Sequence, residues 1–416
     1  STHDCCNDHV VGIMITPALR TLSFYAFLFA ALFSPLWISP VLAQDEQIRI
    51  QSRADYIYGQ SMNFHLLAEN LGEIETATLF IRLGTSPDSF AVDIPVEVGK
   101  RIELSYELDL TQTRLPPFGS ITYWWDLDRV GDSTIRVPEQ IISYVDDQFS
   151  WRQLVTTDEQ GGGSVRIHWT GENESLGELA RNLTFGMLPE IGRFAPITQI
   201  LPFDVYIYPS SADLSSALRL AGRDYQPGET FPDLGVVLLS VVNPETAESE
   251  LRSGLSIGLT DLLLYQAMNQ SAYNVPAWLR YGIAGIVRGR SDAVAEDSLI
   301  SAIVAGETLP ISELCSGTAI EDSLMIAQSE SVVRHIIATD DENAVRDLVV
   351  AFAQGKDCPT ALRSVIQLTP EQLESSWLRA NSGNQSSRTA AEIGVWLVLV
   401  LAGFGLAGLL LLRPRR

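Results

Sequence analysis

Residues 251–289 read LRSGLSIGLTDLLLYQAMNQSAYNVPAWLRYGIAGIVRG. A leucine-rich run, a polar turn around Asn269 to Asn274, and a second run opened by Pro276, Trp278 and Leu279 predict two helices joined by a short connection. Upstream, SVRIHWTG (164–171), FDVYIYPSS (203–211) and GVVLLSV (235–241) read as strands, with helices ESLGELARNLTFGMLPEIG (174–192) and ADLSSALRLAG (212–222) between them. Downstream, residues 321–339, 342–355, 358–367 and 369–380 each carry apolar residues at three-and-four spacing and are expected to be helices. Thr369 followed by Pro370 makes a good helix start, with a capping hydroxyl and proline at the first helical position.

The pair of helices at 251–289 resembles the gluzincin metallopeptidases, most closely their peptidase MA-like branch. There an H-E-x-x-H helix is followed, about twenty residues on, by a P-x-W-L-x-E-G-x-A helix. The second motif is present as Pro276, Trp278, Leu279, Gly282 and Ala284. The first is not. The resemblance places the two histidine ligands at Ile257 and Asp261, the general base at Gly258 and the carboxylate ligand at Tyr281. Catalytic zinc takes three protein ligands and a polarised water, which one aspartate cannot supply. The expectation is therefore a gluzincin-like α+β fold with no catalytic residues and no cofactor. Zinc enters only under the alternative reading, an active metallohydrolase with unrecognised ligands.

The same resemblance implies a partner-binding strand. Gly235 to Val242 is similar to the family's edge strand, which makes Gly235, Val236, Val237, Leu238 and, from the second helix, Trp278 the candidate contacts for a peptide or protein ligand. Asp261 and Tyr281 are expected to form a buried hydroxyl to carboxylate hydrogen bond in place of the metal, with a proton-transfer pair as the sharper alternative. His65, His168 and His335 stand singly and read as structural. No G-x-S-x-G elbow exists, and neither His168 nor His335 has an identifiable serine partner.

The ends of the chain suggest where it resides. Residues 22–42 form an apolar run preceded by Arg20 and closed by Val41-Leu42-Ala43, the pattern of a secretory signal peptide cleaved after Ala43; translation starting at Met14 would give it a conventional beginning. Ile393 to Leu412 is twenty uncharged residues followed by Arg413, Arg415 and Arg416. Twenty residues at 1.5 Å each span about 30 Å, a bilayer core, and the arginines mark the cytoplasmic side. The expected arrangement is a signal peptide (1–43), a β-domain (44–150), the gluzincin-like domain (151–380), a polar stalk (381–392), a membrane helix (393–412) and a basic tail (413–416). The protein would thus sit in the cell membrane with its bulk extracytoplasmic.

Composition narrows the partners. The net charge of −23 is spread along the chain, repels phosphate backbones and excludes nucleic acid. Cys315 and Cys358 are the cysteines left after signal removal, and in an oxidising compartment a disulfide between them is expected. Residues 44–150 alternate in short runs such as SMNFHLLAEN (61–70) and GSITYWWDLDRVG (119–131), the pattern of an antiparallel sandwich. With the Leu115-Pro116-Pro117 turn, this part resembles the immunoglobulin-like module that precedes peptidase MA-like domains. Trp124 and Trp125 are expected in its core, with a carbohydrate platform as the alternative. The function expected of the whole is binding by a membrane-anchored pseudo-peptidase, or else a structural surface spacer.

Overall fold

The computed structural model describes residues 48–381, with short breaks at 85–86, 98–100, 132–133, 158–162, 226–227, 290–292 and 318–321. The expected signal peptide, the stalk from 382 on and the apolar segment 393–412 lie outside the described residues. Among the described residues no helix is long and apolar enough to cross a membrane.

Alternation of apolar and polar side chains builds the N-terminal β region. Strands β1 (Arg49–Ile57), β2 (Ser61–Glu69) and β5 (Arg101–Asp109) form one sheet in the order β1-β2-β5. Strands β3 (Ile74–Leu83), β4 (Ser89–Ile94) and β6 (Gly119–Arg129) form a second in the order β4-β3-β6, and β7 (Thr134–Arg136) and β8 (Gln140–Tyr144) pair with successive stretches of β6. Every pairing is antiparallel. Met62, Phe64, Leu66 and Ala68 of β2 point inward to meet Leu79, Ile81, Tyr123, Trp125 and Leu127 of the facing sheet, so one core holds both sheets. Successive side chains of a strand face opposite sides. Trp125 therefore enters the core while Trp124 turns to the outer face, where Phe80 stacks on it at 5.1 Å and the Arg82 guanidinium lies 5.5 Å from its ring. Trp124 is nonetheless buried, covered by its neighbours rather than by the core.

The third sheet is mixed. Strands β9 (Trp151–Thr157), β10 (Ser164–Thr170), β11 (Phe203–Tyr208), β12 (Gly228–Phe231) and β13 (Val236–Ser240) lie in the order β12-β13-β11-β10-β9. The three inner strands are parallel, and the two outer ones run antiparallel to them. This corrects one expectation. The segment 235–242 is an inner strand, and Val236, Val237, Leu238 and Leu239 are all buried, with Gly235 serving the turn into it at φ +68°. The outer strand on that side is β12. Parallel strands covered on both faces read as continuous apolar runs, and VVLLS is such a run. One of its faces joins the large helical core, while Val236 and Leu238 join a smaller core with Tyr206, Tyr208, Leu214 and Phe231.

Helices α1 (Glu174–Gly192) and α2 (Ser211–Leu220) connect the strands. Helix α3 (Ala247–Met268) then crosses beneath β12 and β13 and is followed by a 3₁₀ turn (Asn269–Asn274) and α4 (Ala277–Arg288). From Gly254 to Leu264 only Asp261 of α3 is not buried, as befits a helix apolar on nearly every side. Pro276 caps α4 in extended conformation, and Gly289 ends it at φ +76°, a left-handed stop that glycine takes without cost. The remainder is helical: α5 (Ala293–Ala305), α6 (Ile311–Ser316), α7 (Ser323–Thr339), α8 (Glu342–Ala353), α9 (Cys358–Val365) and a last helix, α10, at 370–381. A disulfide joins Cys315 of α6 to Cys358 of α9, with Cα atoms 5.7 Å apart.

Candidate functional site

Helix α3, the 3₁₀ turn, α4 and the edge strand β12 enclose a cleft of about 250 Å³. Asp261 and Tyr281 line it, with Arg280, Arg223, Glu229 and Tyr273 around them. The order of burial explains which positions reach it. Asp261 is half-buried at the cleft wall, Tyr281 is buried at its base, and Ile257 and Gly258 lie beneath the floor in the packing of α3 against the sheet. A Cβ at Gly258 would overlap Val237 Cγ1. The Thr230 hydroxyl donates to the Gly258 carbonyl at 3.0 Å, tying the edge strand to the helix at the same level. The position matching the family's general base thus faces the sheet and is filled by Val237.

The charges in the cleft are paired. Arg280 Nη1 donates to Asp261 Oδ2 at 2.6 Å. The carboxylate expected to rely on Tyr281 is therefore held by the residue that precedes it. Arg280 is the one basic residue between Arg252 and Arg288, but which carboxylate it meets depends on how α3 and α4 cross and is not read from the sequence. Arg223 contacts the carboxylate of Glu229, donates to the Thr230 carbonyl at 2.7 Å and lies 4.2 Å from the Phe231 ring. Burial pushes the Glu229 carboxyl above its ordinary range, Arg223 opposes the shift, and the Asp261 charge adds to it. Arg223 and Glu229 were not legible as cleft residues, because the strand that carries Glu229 is four residues long.

Zinc does not fit this set. The ligand positions present a hydrocarbon at Ile257, a carboxylate already bonded to a guanidinium at Asp261 and a phenol at Tyr281. Among the described residues no group of three or more His, Cys, Asp or Glu side chains is gathered to hold a metal ion. Trp278, expected among the partner contacts, is wholly buried and meets Phe352 edge-on at 6.4 Å. Gly235, Val236, Val237 and Leu238 are likewise away from the cleft lining.

Two histidine sites lie elsewhere. His168 Nε2 meets Asp204 Oδ1 at 2.7 Å, and Arg166 bonds both oxygens of the same carboxylate at 2.6 and 2.5 Å. Burial alone would raise Asp204, but the bonds from His168 and Arg166 outweigh it and hold the carboxyl below its usual range. The imidazole stacks on Tyr206, which stacks on Phe118 of the β region, a packing role. His335 does have a serine partner. Its Nε2 lies 2.9 Å from Ser376 Oγ, a pair 41 positions apart that the sequence does not announce. Ser376 sits in mid-helix with its hydroxyl also donating to the Leu373 carbonyl at 2.9 Å. The amides of a helix interior are engaged in the helix itself, so no oxyanion site adjoins this serine.

The comparisons bear on this architecture. Residues 191–381 match the family model described as Peptidase MA superfamily. No curated protein sequence matches the chain. Among solved structures, the chain is similar to an M1 zinc metallopeptidase from Deinococcus radiodurans at 12% identity, covering 77% of this chain and 90% of that one with a TM-score of 0.35. It is also similar to an aminopeptidase N family protein from Idiomarina loihiensis at 9% identity, covering 79% and 70%, TM-score 0.32. A third is a family 56 carbohydrate-binding module that binds β-1,3-glucan, at 14% identity, covering 23% and 98%, TM-score 0.16. The segment that builds the cleft thus lies within residues 191–381, the part of the chain that matches the Peptidase MA superfamily model.

Proposed function

We propose that this protein is a pseudo-metallopeptidase that binds an extended peptide or protein segment without cleaving it. The observation that carries this reading is the donor set. Asp261 is neutralised by Arg280 at 2.6 Å, Ile257 has no lone pair to give, and the base position at Gly258 is closed by Val237. The cleft remains open while its chemistry has been replaced. Strand β12 is an outer strand bordering that cleft, and an unpaired edge accepts a further strand through main-chain hydrogen bonds. The β region, read as an immunoglobulin-like module, would hold this cleft outward from a membrane anchored through Ile393 to Leu412, with the signal peptide removed after Ala43. Metal-dependent hydrolysis and a purely structural spacer are the competing functions. Hydrogen exchange of the full chain against a pool of extended peptides separates the three. Protection of 228–231 with every peptide recovered intact is the expected result. Cleavage abolished by a chelator identifies an enzyme, and no protection by any peptide leaves the spacer.

A further inference from the structure

The chain passes from the β region to the third sheet through 145–150, and at its centre lies a carboxylate with an unusual environment. Asp146 is 2% exposed. Tyr208 Oη donates to its Oδ2 at 3.1 Å, and the Gln148 amide reaches Oδ1 at 3.3 Å. Among the described residues no ion pair reaches it. The same peptide group anchors the next strand, since Trp151 Nε1 donates to the Asp146 carbonyl at 2.7 Å. Tyr56 bonds the neighbouring Val145 at both its carbonyl and its amide, and the Tyr144 hydroxyl accepts from the Gly59 amide. A cavity of about 380 Å³ opens beside the carboxylate, with Tyr58 on the β-region side and α2 on the other. The Tyr58 hydroxyl is buried there without a hydrogen-bond partner.

A buried carboxylate needs a counter-charge or a proton. The groups that face Asp146 supply no counter-charge at bonding distance. Tyr56 of β1, Tyr58 of the β1–β2 turn, Tyr144 of β8 and Tyr208 of β11 are phenols, all raised above their ordinary value by burial, and stay neutral between pH 5 and 8. Asp147 in the linker and Asp213 on α2 are acidic and disfavour a further negative charge. Arg219 of α2 lines the cavity, where its Nε and Nη2 donate to the Ser215 carbonyl and the Ser216 hydroxyl and form no ion pair with Asp146.

From this cluster we infer that the junction between the β region and the third sheet is a proton-dependent latch, closed while Asp146 is protonated and loosened once it is ionised. The protonated carboxyl keeps the bond from Tyr208 and offers its own proton to the cavity, where the Tyr58 hydroxyl lacks a partner. Ionisation places an uncompensated charge between two acidic neighbours. Burial pushes the Asp146 carboxyl up to about 6, so the switch falls in the mildly acidic range. A carboxyl raised on folding contributes its full stability below the ordinary carboxylate range and loses it as pH rises towards the folded value. With an opened junction titrating near 3.9, the opening constant should rise about tenfold between pH 5 and pH 7 and little beyond.

Hydrogen exchange of the full chain at the amides of 145–151, corrected for intrinsic rates, measures this opening at each pH. In the native protein protection should fall about tenfold from pH 5 to 7. Asp146→Asn, which keeps size and an acceptor for Tyr208, should be protected equally at both. Tyr208→Phe removes the bond that favours the charge and should move the midpoint upward. Protection independent of pH in the native protein overturns the latch, as does an unchanged pH dependence in Asp146→Asn. A gain in protection at pH 8 on adding methylammonium or calcium, seen in the native protein and absent in Asp146→Asn, also overturns it, because the missing partner would then be a cation and not a proton.

Discussion

At the scale of single residues, the proposed absence of catalysis rests on volume as much as on ligand chemistry. Gly258 abuts Val237 so closely that a Cβ has no room, and overpacking of this kind costs about 1–3 kcal/mol. Gly258→Ala should therefore lower the unfolding midpoint by several degrees, at about 2–4 °C per kcal/mol for a region of this size, and Val237→Ala in the same chain should restore part of it. The restoration of zinc ligands inherits the constraint. Ile257→His, Gly258→Glu, Asp261→His and Tyr281→Glu together should fold poorly and bind no zinc, and should gain affinity in a calorimetric titration only with Val237 reduced to Ala. Zinc binding by the fourfold variant without that relief would mean that α3 can move off the sheet. That Ile257 and Gly258 offer a metal no side-chain donor was legible in the sequence, because ligand chemistry is a property of the residue itself. The sequence did not disclose Arg280 as the partner of Asp261, which depends on how α3 and α4 cross.

Between elements, the edge strand is the feature on which the proposed binding turns, and it is held by backbone contact. A Cβ at Gly228 would run into the Gly254 carbonyl, an atom with no side-chain freedom to yield, so Gly228→Val should displace β12 from α3. Loss of about 1–3 kcal/mol in denaturant unfolding, together with loss of peptide-induced protection at 228–231, is the expected outcome. Retained stability would show β12 to be loosely seated. The helices α3 and α4 were legible because periodicity, Pro276 and Gly289 are local signals. Strand order was not. VVLLS reads alike as an inner or an outer strand, since burial on both faces erases alternation, and GETF is too short to show a period. The pairing of β13 with β11 on one side and β12 on the other is decided by chain crossing and not by composition.

Across the whole molecule, three cores share the described chain: one in the β region, one around α3, and a smaller one joining Tyr206, Tyr208 and Leu238 to Phe118, Phe149 and Trp151 at the junction. The helices after α4 are drawn together by the Cys315–Cys358 bond, whose partners are 43 residues apart. Closing a loop of that length removes chain entropy worth about 4 kcal/mol in the unfolded state. Replacement of both cysteines by serine should lower unfolding stability by about 2–4 kcal/mol without altering the cleft, measured by denaturant titration under non-reducing conditions; no change would mean that the helices are held by packing alone. The pairing was legible because Cys315 and Cys358 are the cysteines beyond the N-terminal apolar segment, whereas the junction core rests on contacts between distant aromatic residues. The account as a whole rests on the cleft having lost its metal, and the direct measurement is the zinc content of the full chain purified without chelators, taken with its hydrolysis of unstructured peptides. The account predicts zinc far below one per chain and no cleavage that added zinc restores. About one zinc per chain, removed by a chelator together with peptide hydrolysis, would contradict it.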